Sequence, residues 1–185
     1  LEALIAVLEE SGSFSFDTET TGLDPMRVDL VGLSFSVEPG RAWYVPVGPK
    51  EGEQLPLETV LARIRPLMES TELAKCANNA NYDVTVLANH GINCQNVDFD
   101  TMIAAHLLSK GSIGLKNLSL NVLGHEMTSI SDLIGTGRKQ ITFDQVDIAE
   151  AVDYAAADAD MTGRLRGVLE GQVEGQGLTG LMADM

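Results

Sequence analysis

Three runs rich in β-formers crowd the first quarter of the chain: FSFD at 14–17, VDLVGLSFSV at 28–37 and AWYVPV at 42–47. Short turn-forming stretches separate them, TTGLDP before the second and EPGR before the third. Strands joined this closely pair as an antiparallel meander. Beyond residue 50 the pattern changes to short apolar runs alternating with helical periods, and such alternation requires crossovers and parallel pairing. The order therefore points to an α/β fold with a mixed sheet.

Val31, Leu33, Phe35 and Val37 fall at period two, the pattern of a half-buried strand. Pro46 places the third strand at an edge or ends it early. Residues 1–10, LEALIAVLEE, read as an amphipathic helix ended by SGS. GPKEGEQLP is an exposed loop, and residues 57–70 have helical spacing with Pro66 near the end. LAKCAN is a short buried strand, and NANYDVTVLANHGI is a helix stopped by Gly91. VDF is strand-like, with Asp100 and Thr101 at the cap of the helix that follows. Residues 115–124 read as a short helix, and SISDLIGTGRKQITFDQV as mostly loop. A long helix is expected from about Asp147 through IAEAVDYAAADADMTGRLRGVLEGQV, and the tail EGQGLTGLMADM reads as frayed or cut.

A chain of 185 residues fits one domain, 1–185, with room for a sizeable core. Its first residue is Leu, so a piece of something longer is expected. No apolar run approaches bilayer length and no secretory signal is visible. Cys76 and Cys94 form neither a disulfide framework nor a zinc motif; a reducing cytoplasm is the expected setting, with Cys76 in the core. His90, His106 and His125 are scattered and read as structural, and Trp43 as packed on the sheet. The net charge of −15 argues against a basic nucleic-acid-gripping surface and fits either a binder of cations or a domain whose partner domain carries the positive surface.

Acids stand in three places. Asp17 and Glu19 are two apart on a strand, so both side chains leave the same face. Alone, a solvated strand end accounts for them. Asp83 lies in the first turn of a helix begun by Asn78, Asn79 and Asn81, where capping and the helix dipole also suffice. Tyr154 and Asp158 share a helix face at i and i+4, while Asp153 and Asp160 point elsewhere and read as solvated. Were the fold to gather Asp17, Glu19, Asp83 and Asp158, each like-charged contact would cost roughly 4 kcal/mol at an effective dielectric of 20. Divalent cations would compensate, and an all-oxygen donor set favours Mg²⁺ or Mn²⁺ over zinc. Two such ions about 3.5–4 Å apart serve in-line displacement at phosphorus.

FSFDTETTGLD, NNANYD and YAAADAD, in this order, resemble the three exonuclease motifs of the proofreading domain of bacterial family-A DNA polymerases, the DNA polymerase I type. LVGLSFSVEPGRAWYVPVG, YDVTVLANHGI, FDTMIAAHLL and KQITFDQV resemble the segments between them, so the similarity covers roughly residues 14–170. The resemblance implies a ribonuclease-H-like mixed sheet of five strands flanked by helices. It implies a 3′→5′ exonuclease of the four-acid type with a tyrosine. Asp17 would bridge two metals. Glu19 and Asp158 would hold the one that activates water, and Asp83 would serve the one at the leaving oxygen. Mg²⁺ or Mn²⁺ is implied, with Zn²⁺ an option at one site. Tyr154 would orient the attacking water, Leu23 would wedge beside the terminal base, and Thr18 and Asn79 would contact substrate. Asn78 stands where the family more often has Gln.

The implied substrate is a single-stranded or mismatched DNA 3′ end, and the implied partner is the polymerase domain of the same parent chain, with a monomer expected. Arg138, Lys139, Lys110 and Lys116 are candidate phosphate contacts, though each taken singly reads first as solvated surface. The isolated acidic chain is expected to bind DNA weakly and in a salt-sensitive way. Two other readings compete: a non-catalytic structural domain of a polymerase, and a ribonuclease D-like RNA 3′-end exonuclease.

Overall fold

A computed structural model describes residues 1–183. Helix α1 (Glu2–Glu10) precedes β1 (Ser13–Thr20), β2 (Leu30–Glu38) and β3 (Arg41–Pro46). Then come α2 (Leu57–Met68), β4 (Ala74–Ala77), α3 (Ala80–Asn89), β5 (Val97–Asp100) and α4 (Thr101–Leu107). The helices α5 (Leu115–Leu118), α6 (Ile130–Ile134), α7 (Ile148–Gly175) and α8 (Thr179–Ala183) complete the order. The strands form one five-stranded mixed sheet in the order β3-β2-β1-β4-β5. The first three strands pair antiparallel as a meander, and β4 and β5 add in parallel. Pro46 closes the edge strand β3, where a missing N–H breaks no ladder.

The period of two along β1 sorts its side chains. Phe14 and Phe16 enter a core built with α1, α2 and α3. Ser15 faces α7, where its hydroxyl donates to the Ala159 carbonyl at 2.7 Å. Asp17 and Glu19 follow Ser15 on that same face.

Helix α7 lies close against the sheet because its contact face is small: Ala151, Ala155 and Ala159 are buried, and a Cβ on Gly163 would stand 3.0 Å from the Ser15 hydroxyl. This corrects the half-buried reading of β2. Residues 30–36 are buried throughout, including Ser34 and Ser36, because α7 covers the face that the serines suggested was wet.

The segment read as loop between 129 and 146 holds more order than expected. Ser129 and Asp132 form a capping box that starts α6, and single 3₁₀ turns follow at Gly137–Lys139 and Phe143–Gln145. The helix expected over 115–124 is α-helical only to Leu118; Ser119–Leu123 is a π turn that ends at Gly124 with φ of 68°. The tail carries α8 as far as Ala183, and the rest of it lies outside the described residues. Cys76 is a buried residue of β4, and both cysteines are free. Among the described residues, no helix is long and apolar enough to cross a membrane.

Candidate metal centre

Three carboxylates converge where the C-terminal part of β1 meets α7. Asp17, Glu19 and Asp158 each offer a ligand oxygen, and these oxygens lie within 4.8 Å of one another. Glu19 and Asp158 are both 8% exposed, and Asp17 is half-buried. Glu19 Oε1 and Asp158 Oδ1 are buried with no hydrogen-bond partner among the described residues. A buried carboxylate oxygen without a partner keeps its whole desolvation cost. Two such oxygens, on two of the three residues whose carboxylates converge, are what an all-oxygen cation site looks like before the cation is counted, so the residues present fit a hard divalent ion.

Asp83 reaches the same strand from α3. It is 2% exposed, and its Oδ1 accepts from the Thr18 amide at 3.0 Å and from the Thr18 hydroxyl at 2.6 Å. Thr18 therefore commits its side chain to the acid. Asp83 stands close enough for its charge to push up both Asp17 and Glu19, though it is not among the three whose oxygens converge.

Burial first, and then the neighbouring acids, raise Asp17 and Glu19 well above the ordinary carboxylate range. Burial lifts Asp83 to about 7, with the Thr18 hydrogen bonds pulling the other way. Burial lifts Asp158 to about 6 against the pull of the Lys116 ammonium and the Tyr154 hydroxyl. Tyr154 is 9% exposed and lies on the same face of α7 as Asp158; burial and the surrounding acids hold its phenol protonated. Displacements of this size in one cleft mark a functional site more often than a structural one.

Asn79 does start α3, but its side chain caps nothing: it takes a left-handed φ of 64°. The work passes to Asp100, which accepts from the amides of Asn79 (3.1 Å) and Ala80 (2.7 Å) while also capping α4 through Met102 (2.8 Å). Asn78 accepts from the Thr101 hydroxyl at 2.8 Å. Leu23 is 94% exposed at the tip of the loop after β1. That loop is pinned where the Tyr82 hydroxyl donates to the Gly22 carbonyl at 2.7 Å and Asn89 Nδ2 to the Pro25 carbonyl at 2.7 Å.

Asp153 is exposed as expected, but Asp160 is not: it is buried, takes the Gly40 amide at 2.9 Å and pairs with Arg164 at 2.7 Å. Arg164 is its i+4 neighbour on α7, but Gly40 comes from the β2–β3 turn, which the sequence spacing does not reveal. Arg138 and Lys139 are exposed, and Lys110 donates to Gln172 at 2.7 Å. Lys116 is at the site itself, with Nζ 3.1 Å from the Tyr154 hydroxyl. None of the three histidines joins the acid cluster.

The chain matches a family model described as 3′-5′ exonuclease over residues 1–174. It is 42% identical over 178 residues to DNA polymerase I of Chloroflexus aurantiacus, covering 95% of this chain and 19% of that protein. Against DNA polymerase I of Pseudomonas aeruginosa it is 39% identical over 180 residues, covering 94% of this chain and 20% of the relative. The chain thus spans about a fifth of the length of these relatives. Among solved structures it superimposes on Brucella melitensis NrnC with bound Mg²⁺ with a TM-score of 0.70 at 23% identity, covering 94% of this chain and 79% of the other, a likeness of fold. With the ribonuclease-H-like sheet, the converging acids and a match along nearly its whole length, the chain belongs to the 3′-5′ exonuclease domain family of DNA polymerase I.

Proposed function

We propose that residues 1–185 form a single proofreading domain of a DNA polymerase I-type parent chain, which removes nucleoside 5′-monophosphates from single-stranded or mismatched DNA 3′ ends. The observation that carries this reading is the convergence of Asp17, Glu19 and Asp158, two of which, Glu19 and Asp158, each keep a buried oxygen without a partner. A decayed structural domain gains nothing from retaining that cost.

Asp17, Glu19 and Asp158 would hold one divalent ion, and Asp17 and Asp83 a second, with Mg²⁺ or Mn²⁺ matching the oxygen donors. Such ions make water acidic enough to attack near neutral pH and stabilise charge on the leaving oxygen. The chain's own groups do the rest. Tyr154 hydrogen-bonds the attacking water and sets its line of approach. Thr18 holds Asp83 at the rim of the strand and so governs where that carboxylate points. Leu23, free of the core, lies against the terminal base, and Asn79 at the start of α3 contacts the terminal nucleotide. A mispaired end costs less to unstack than a paired one, which biases removal toward errors.

With a net charge of −15, the chain by itself holds DNA weakly, so the test belongs at low salt. A 5′-labelled single-stranded DNA and an RNA of the same sequence are incubated with Mg²⁺ or Mn²⁺, beside EDTA and Asp17→Ala controls. The expected result is a DNA ladder shortening from the 3′ end, absent in both controls and slower on RNA. A ladder that survives EDTA, or none at high enzyme concentration, would overturn the proposal.

A further inference from the structure

Lys116 has three anchors. Its ammonium donates to the Tyr154 hydroxyl at 3.1 Å and stands 4.2 Å from the centre of the Tyr154 ring. It also donates to the Thr128 carbonyl, in the segment that leads into α6. The lysine is half-buried on α5, just before the π turn, and its charge is felt by Asp17, Glu19 and Asp158. Yet among the described residues no ion pair reaches those three acids. The ammonium is held beside the cluster rather than collapsed into it.

We infer that Lys116 is a positioning residue of the exonuclease site, acting through the Tyr154 hydroxyl. The inference rests on the functional reading above. A lysine ammonium has donors and no acceptor, so the phenol oxygen must accept from it. The tyrosine's own proton then turns away from Lys116 and toward the acid side, where the hydroxyl already pulls on Asp158. The ring is fixed at the same time, because the cation lies over its face. Thr128 supplies the third contact, which keeps the flexible lysine stem from swinging onto the carboxylates. A hydroxyl with a settled direction can hold a water in line for attack, whereas one that rotates holds it only part of the time. Such a role acts on the chemical step and leaves ground-state binding alone. A lysine that instead gripped a substrate phosphate would act on binding, and its effect would fade with salt.

A double-mutant cycle separates the two. The wild-type chain, Lys116→Met, Tyr154→Phe and the double variant are compared on single-stranded DNA by kcat and KM. Lys116→Met is expected to lower kcat about tenfold, the kinetic equivalent of one hydrogen bond from a charged donor, with KM unchanged. In the Tyr154→Phe background the same change is expected to do nothing further. Lys116→Arg, which keeps charge and donor, should recover part of kcat. Calorimetric binding of Mn²⁺ and a cooperative melt establish that each variant is folded, and Lys116→Gln replaces the Met variant in the cycle if the latter does not fold. Losses that multiply, or a rise in KM with kcat intact, overturn the inference while the exonuclease reading stands. A wild-type chain that does not shorten the DNA defeats both.

Discussion

Replacing Asp158 by Asn should make the metal-free chain more stable. In the folded chain burial lifts the Asp158 carboxyl from 3.8 to about 6, a net result that already includes the favourable pull of Lys116 and Tyr154. A displacement of that size corresponds to about 3 kcal/mol of penalty for holding the charged form. The folded-state value lies above the unfolded one, so between about pH 4 and pH 6 the folded chain keeps a proton that the unfolded chain has lost. Stability therefore falls as pH rises through that window, and the full penalty is present above it. The amide of the Asp158→Asn variant carries no charge and escapes the penalty. For a chain of this size each kcal/mol moves the melting midpoint by about 2–4 °C, so Asp158→Asn should melt roughly 6–12 °C higher than wild type at about pH 8. The assay is thermal unfolding followed by circular dichroism in EDTA, from about pH 4.5 to pH 8. The gap should close at the acid end, where wild type is protonated too. Adding Mg²⁺ should raise wild type and leave the variant behind. A variant that melts no higher than wild type at about pH 8, or a gap of equal size at both ends, would refute the reasoning.

Asp100→Ala should be among the most damaging surface-proximal changes, because one carboxylate caps α4 and also satisfies the first amides of α3; a loss of about 3 kcal/mol is expected in urea unfolding. Thr18→Val keeps the shape but removes the 2.6 Å hydroxyl bond to Asp83, and should cost about 1.5–3 kcal/mol by the same measurement. Leu23→Ala should leave the melting midpoint unchanged, since the side chain is 94% exposed, but slow removal of a paired 3′ terminus more than a single-stranded one.

The meander, the edge position of β3 and the long last helix were legible because each rests on local pattern: period two, a proline, an uninterrupted helical run. The covered face of β2 was not. Ser34 and Ser36 look like a wet face, and only the small residues of α7, far along the chain, make it dry. Capping chemistry was half legible. Asp100 was recognised as the cap of α4, but its second duty at α3 depends on β4 and β5 lying side by side. Asp17, Glu19, Asp83, Tyr154 and Asp158 stand out through strand and helix position and through resemblance; the convergence of Asp17, Glu19 and Asp158 is a property of how β1 meets α7. Lys116 was only one basic residue among several, because nothing in its neighbours predicts a partner on α7.

The seam between β1 and α7, fastened by Ser15 on the Ala159 carbonyl, also sets a timetable. During translation β1 leaves the ribosome early and α7 late. Until α7 emerges, the nascent chain carries Asp17, Glu19 and Asp83 without Tyr154 and Asp158, and the cluster of three converging acids is incomplete. A chain stalled or cleaved before Ile148 therefore lacks the third acid of the cluster. The cluster closes only with the last long helix, which brings Asp158 to the end of β1.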